Sequence, residues 1–107
     1  MTMVVFKIPV ILPGPLHVCL MLRCQLEAIP RAGDLITFDE GRSTFAVWSV
    51  QHRLAAGRMT PGRHVVHIFF GEADYAVFKE IDEHPPTPDE YLRWFGDWGF
   101  VPWTEGD

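Results

Sequence analysis

Apolar and polar residues alternate along the first two thirds of the chain, and this period of two predicts β-strands. In His17–Ala28, apolar residues at the even positions alternate with a second set that becomes polar toward its end. Because successive side chains of a strand point to opposite faces of its sheet, this strand buries one face. The same pattern predicts further strands, and the complete set covers approximately residues 3–12, 17–28, 35–38, 43–52 and 64–70.

Turn signals and phase changes indicate that these strands form a small, curved sheet. Pro30–Asp34 predicts a sharp turn, since proline restricts φ and Gly33 tolerates a positive φ. The apolar pattern changes phase at Trp48–Ser49, which indicates a β-bulge that bends its strand. Pro9 lacks a backbone N–H, so the first strand is predicted to be an edge strand or two short pieces. We therefore predict an α+β protein, mainly β, with a small, strongly curved antiparallel sheet or partly open barrel of about five strands and a C-terminal helix.

The strongest helix signal lies near the C-terminus. Thr87–Glu90 has the spacing of a capping box, with Pro88 in the first helical position. Gly99 is suited to the position just after the C-terminus of a helix, where glycine is favoured. Together these residues predict a helix over 88–98.

The segment 73–82 fits either a helix or a strand. We favour a helix because Glu72 and Asp74 carry the negative charge that suits a helix start. No linker, repeat or composition shift divides the chain, so residues 1–107 are predicted to form a single domain.

Charge and hydropathy narrow the range of partners. The net charge is −5, and no run of Lys or Arg occurs, so direct nucleic-acid binding is disfavoured. A basic face assembled in three dimensions from Arg53, Arg58 and Arg63 would be the exception. The apolar stretch Ile8–Leu22 is interrupted by three prolines, a glycine and a histidine, so it does not predict a membrane helix. We predict a cytoplasmic protein with no membrane partner.

The two cysteines, Cys19 and Cys24, lie five residues apart in one predicted strand. That spacing places them on opposite faces and about 16 Å apart, whereas a disulfide needs Cα atoms within about 7 Å. We predict two reduced cysteines, with Cys24 buried and Cys19 more exposed. His17 shares a face with Cys19 and could lower the pKa of its thiol. A thiol activated in this way would be alkylated faster than free cysteine.

The histidines suggest one way to build a site. His64 and His67 are three apart and face opposite sides of a strand, whereas His52 could pair with His67 across a hairpin. Asp34 or Asp39 could add a carboxylate ligand to that pair. The more ordinary interpretation is an exposed strand histidine with local hydrogen bonds. We therefore predict no metal, no cofactor and no catalytic residue.

The C-terminal segment is rich in aromatic residues. A single helix buries one stripe, so Phe95 and Trp98 are predicted to face the sheet, leaving Trp94 and Trp103 partly exposed. Arg93 beside Trp94 has the composition of an interface anchor. We predict a homodimer or another protein partner.

Three segments of the sequence carry a resemblance to known proteins: residues 29–38 (IPRAGDLITF), 45–52 (FAVWSVQH) and 64–70 (HVVHIFF). This run, in which a Pro-x-x-Gly-Asp turn leads into paired strands, resembles small uncharacterised bacterial proteins carried by phages, plasmids and integron cassettes. The resemblance covers about 40 residues and implies a small SH3-like or partly open barrel. It implies no activity, so it assigns no catalytic residue.

These observations favour a non-enzymatic binding or protein-interaction module, and the resemblance implies that it is encoded on a mobile element. The alternatives are a small enzyme or metal-binding protein that uses His52 and His67 with an acidic turn residue, and a phage structural protein. The ligand would be a protein or a small apolar molecule. The candidate ligand or partner surface consists of His17, Met21, Trp48, His52, His67, Arg93, Trp94 and Trp103.

Overall fold

The computed structural model describes residues 2–14, 16–38, 43–54 and 64–103. Their elements, in chain order, are β1 (Thr2–Leu12), β2 (Leu16–Leu26), β3 (Leu35–Phe38), β4 (Ser43–Leu54), β5 (His64–Phe70), β6 (Ala73–Asp74), α1 (Tyr75–Ile81), α2 (Pro88–Asp97) and β7 (Val101–Pro102). The five predicted strands lie within two residues of their observed ends.

The described strands form one sheet in the order β3-β4-β5-β1-β2-β7, with β6 pairing with β1. The sheet curls strongly into a half-barrel, and two helices accompany it, one of them C-terminal. This confirms the predicted mainly β, α+β class with a strongly curved sheet.

Strand β1 lies in the middle of the sheet, so the prediction that Pro9 makes it an edge strand or splits it is wrong. The strand runs unbroken and pairs antiparallel with β2 and parallel with β5. Its ladder with β5 ends at Lys7, and its ladder with β6 begins at Val10. Pro9 therefore lies at the interruption between the ladders to β5 and β6, a position at which a residue without an N–H is tolerated.

The β1–β5 pairing also makes the sheet mixed rather than wholly antiparallel. A hairpin sets the orientation of neighbours such as β1 and β2, because the three residues between them force the chain to reverse. No turn joins β1 to β5, so their orientation follows from how the hairpins dock.

The predicted bulge in β4 is confirmed. Val47 pairs with Phe70 and Ser49 pairs with Phe69, so Trp48 is the extra residue between them. Its side chain is 75% exposed. The extra residue bends β4 and contributes to the curl of the sheet.

The turn before β3 is built as predicted. Gly33 has φ +93, and a carboxylate oxygen of Asp34 accepts a hydrogen bond of 2.8 Å from the backbone N–H of Arg31. The backbone N–H of Gly33 donates to the carbonyl of Val47, which holds the turn against β4. The acidic side chain of Asp34 therefore serves the turn, whereas Asp39 lies outside the described residues.

The concave face of the sheet, here called the inner face, holds the core. Phe38 of β3 lies at its centre, stacked on Trp98 at 5.8 Å and packed edge-on against Phe6, Phe70 and Phe100. Helix α2 covers this face with Phe95, which is 1% exposed. The fully buried side chains are Phe70, Phe95, Ile8, Ile68, Val4, Val10 and Val66.

Both helices begin at the expected signals. Thr87 and Glu90 form the reciprocal capping box of α2, and Gly99 follows the helix with φ +102. Asp74 caps α1 by accepting from the N–H of Ala76. The segment 73–82 is therefore mainly helical, as favoured, although its first two residues form β6.

Candidate functional site

The convex face of the sheet, here called the outer face, carries side chains from five strands in register. One row of paired residues crosses the sheet from β4 to β7 and consists of Ser49, Phe69, Lys7, Met21 and Val101. The next row consists of Gln51, His67, Val5 and Arg23. Strand pairing alone thus brings residues that are more than 60 positions apart in the sequence into contact.

A cation sits between aromatic rings at the centre of this face. The side chain of Lys7 is only 4% exposed, and its Nζ lies 4.3 Å from the ring centroid of Trp103 and 5.6 Å from that of Phe69. The backbone N–H of Trp103 donates to the carbonyl of Cys19 at 2.9 Å, which holds the chain beyond β7 against β2. Such contacts stabilise a buried ammonium group because the ring faces are electron-rich.

His67 lies beside this pair, 5% exposed, with its ring 6.4 Å from that of Phe69. Its Nδ1 is buried without a hydrogen-bond partner among the described residues. Burial, and then the positive charges of Lys7, Arg53 and Arg23, lower the pKa of His67 to about 4. The imidazole is therefore neutral at physiological pH.

Two exposed arginines flank the buried centre. Arg23 extends from β2, and Arg53 extends from β4, where its Nε donates to Oε1 of Gln51 at 2.8 Å. We call the set Lys7, Arg23, Arg53, His67, Phe69 and Trp103 the cation–aromatic cluster. Strands β1, β2, β4 and β5 contain no Asp or Glu, although the chain as a whole has a net charge of −5. The described strands of the outer face thus contribute cationic side chains and no carboxylate, although the whole chain is acidic.

The predicted pairing of His52 with His67 is wrong. His52 lies opposite Val66, and His67 lies opposite Gln51, so the two histidines occupy adjacent positions that face opposite sides of the sheet. His52 instead contacts His64, with its Nδ1 2.9 Å from Nε2 of His64. No group of three or more His, Cys, Asp or Glu side chains in the described part of the chain is placed to hold a metal.

The other predicted surface residues divide between the two sides of the sheet. His17 and Met21 lie on the outer face, the first exposed and the second 6% exposed. Arg93 is exposed on α2, and Trp94 is half-buried against Phe78 and Tyr91. Trp94 and Trp103 are both partly exposed, as predicted, and they lie on different sides of the sheet.

The cysteines are unpaired, as predicted. Both are half-buried, so the expectation that Cys24 is buried and Cys19 more exposed is wrong. Burial raises the pKa of both thiols, and for Cys19 the charge of Lys7 opposes that effect only in part. A raised pKa leaves little thiolate at neutral pH, which makes Cys19 a weak nucleophile.

Sequence reasoning missed Lys7, Arg23 and Phe69 as members of a site. It named Arg53 only as part of a basic face with Arg58 and Arg63, which lie outside the described residues, and it did not pair His64 with His52. The sequence did show which residues share a face within one strand, since Lys7 shares a parity with Val5, and Phe69 with His67. The missing information was which strands are neighbours.

Two shallow grooves lie elsewhere on the surface. One, of about 340 Å³, is lined by Ala28, Ile29, Pro30, Asp34, Leu35 and Ile36. The other, of about 380 Å³, lies between the β1–β2 turn and the start of α1. Neither brings a histidine together with a carboxylate among its described lining residues, so neither has the composition of an acid–base site.

Comparison with protein-family models, curated proteins and solved structures found no match. Within the described ranges, the helices are too short and too polar to cross a bilayer.

Proposed function

We propose that this protein is a non-enzymatic interaction module that binds an acidic segment of a partner protein through its outer face. The observation that carries the proposal is the cation–aromatic cluster, which concentrates positive charge and rings on a face whose strands contain no carboxylate. Trp and Arg are enriched among the residues that dominate protein interfaces. Trp103, at 38% exposed, and the two exposed arginines have that composition.

The charge of the whole chain favours a short acidic segment over a nucleic acid. Within the described strands, the three Lys and Arg side chains, of Lys7, Arg23 and Arg53, all lie on the outer face, whereas the net charge of the chain is −5. A polynucleotide extends beyond a small patch and meets the repulsion of the remaining surface, whereas a peptide segment does not. The exposed Asp89 and Glu90 in the first turn of α2, for example, belong to the remaining surface that would repel phosphate groups.

The chemistry of the cluster supports binding rather than catalysis. A general base needs a hydrogen-bonded partner that orients it, and the groups that act on His67 are cations. The Cys19 thiol, also on this face, is held protonated by burial.

The test is a binding titration with a short fluorescently labelled Glu-rich peptide, followed by anisotropy at low and physiological salt. The double variant Arg23→Glu/Arg53→Glu should weaken binding by about tenfold or more, because it replaces two attractions with two repulsions. The matched control is Arg31→Glu/Lys79→Glu, which makes the same charge change at exposed positions that belong neither to the cluster nor to the predicted partner surface. Equal loss in both variants would mean that net charge, not the outer face, governs binding.

Two further measurements set this proposal against its alternatives. An oligothymidylate probe that binds more tightly than the peptide would overturn the choice of a protein ligand. Light scattering tests the predicted homodimer. If the wild type is a dimer and the variant Arg23→Glu/Arg53→Glu is a monomer, the outer face would be assigned to self-association instead.

The resemblance to proteins of phages, plasmids and integron cassettes suggests the setting in which such a module works. The genes that neighbour this one test that suggestion. Integrase, plasmid or phage genes would support it, and an operon of housekeeping enzymes would contradict it.

A further inference from the structure

A pair of histidines lies on the inner face of the sheet, at the end of the β4–β5 hairpin. His52 is opposite Val66, and His64 is opposite Leu54, so the two imidazoles are diagonal neighbours on one face. Their nitrogens Nδ1 and Nε2 are 2.9 Å apart, and the rings are inclined by only 13° with centroids 5.1 Å apart. His52 is exposed and His64 is half-exposed, so solvent reaches the pair.

The separation of the two nitrogens matches a chelate. Two nitrogens that each lie about 2.05 Å from one metal ion are about 2.9 Å apart when the angle at the metal is about 90°, and about 3.3 Å apart when it is tetrahedral. An angle near 90° is the one preferred in tetragonal Cu²⁺ and Ni²⁺ complexes. The observed separation of 2.9 Å equals the one for an angle near 90°, and rotation of the rings would turn both lone pairs toward a shared ion.

The strand pairing supplies the preorganisation that two isolated histidines lack. The β4–β5 register holds both backbones, and an exposed imidazole turns about its Cβ–Cγ bond at low cost. In the free protein one nitrogen donates a hydrogen to the other. On metal binding the donor ring changes tautomer: its proton moves, through solvent, to the other nitrogen of the same ring, so that both facing lone pairs can bind the ion.

We propose that His52 and His64 form a two-histidine site for a divalent transition-metal ion, with water in the remaining coordination positions. The order of affinity should follow the general one for nitrogen ligands, with Cu²⁺ tightest and Ni²⁺ and Zn²⁺ weaker. The site lies on the opposite face of the sheet from the cation–aromatic cluster and is independent of the proposed peptide binding.

The experiment is a calorimetric titration of the full chain with Cu²⁺ in a weakly coordinating buffer, repeated with Ni²⁺ and Zn²⁺. We expect one ion per chain, and either His52→Asn or His64→Asn should weaken its binding by about 100-fold, because each removes one arm of the chelate. Electron paramagnetic resonance of the Cu²⁺ complex should report two imidazole nitrogens in the wild type and one in each variant.

The control is His17→Asn/His84→Asn, which removes two exposed histidines from other parts of the surface. It should retain the one-ion binding curve. Circular dichroism confirms that each variant is folded, and the two affected positions are solvent-accessible, so asparagine is tolerated there. Wild-type affinity in His52→Asn or His64→Asn, or equal loss in the control, would overturn the site.

Discussion

The protonation of His67 should make the stability of this protein fall as the pH is lowered into the mildly acidic range. The side chain is 5% exposed, and its pKa is lowered to about 4 by burial and by Lys7, Arg53 and Arg23. In the unfolded chain the group titrates near its ordinary value of about 6.5. Between these two values the unfolded state binds more protons than the folded state, so stability falls as the pH falls through this window.

The magnitude follows from the two pKa values. For one group that shifts from 6.5 to about 4 on folding, the linkage relation gives a loss of about 2 kcal/mol between about pH 7 and about pH 5. That is a large part of the 5–15 kcal/mol typical of a small domain. The contribution is fully present above the unfolded pKa and is lost progressively below it.

The assay is urea unfolding of the wild type and of His67→Gln near pH 7 and near pH 5. The variant replaces a titrating group with a neutral one, so its pH dependence should be smaller than that of the wild type by about 2 kcal/mol. The exposed His17→Gln variant controls for the loss of a histidine as such. If His67→Gln and the wild type lost the same stability between the two pH values, the assignment of this shift to His67 would be refuted.

Three further experiments test a buried hydrogen bond, the backbone conformation at Gly99 and the reactivity of Cys19. Tyr75→Phe removes a buried 2.6 Å hydrogen bond from the tyrosine hydroxyl to the carbonyl of Pro86, and should cost about 1–3 kcal/mol in urea unfolding; unchanged stability would mean that water replaces the hydroxyl. Gly99→Ala should lower the free energy of unfolding by about 1–3 kcal/mol, because φ at this position is +102. Gly96→Ala lies inside α2 with open space around it and should instead raise the free energy of unfolding by about 0.5–1 kcal/mol. Similar effects of the two substitutions would contradict the backbone argument. Cys19 should react with iodoacetamide more slowly than free cysteine near neutral pH, because burial raises its pKa; Cys19→Ser identifies its share of the alkylation, and a faster reaction would show an activated thiol.

The sequence predicted the elements well because each depends on local chemistry. The alternation in β2 and β5, the capping box at Thr87 and the glycine at position 99 act over a few residues. The bulge at Trp48 was readable for the same reason, since a phase change in a period of two is a local event. Residues 73–82 stayed ambiguous because a short apolar run fits both periods.

The neighbours of β1 were not predictable in this way. Pro9 suggested an edge, and only the docking of the two hairpins showed that its missing N–H falls between the ladders to β5 and β6. The same docking made one pairing parallel. These outcomes depend on contacts between residues far apart in the chain, which no local pattern encodes.

The candidate sites show which features the sequence determined and which depended on the tertiary structure. The parity of each strand determined which side chains share a face within that strand, including Lys7 with Val5 and His67 with Phe69. The tertiary structure decided which strands are adjacent and in what register. That choice placed Lys7 beside Phe69 and separated His52 from His67. A shift of one residue in the β4–β5 register would have moved His52 to the other face, because side chains alternate along every strand.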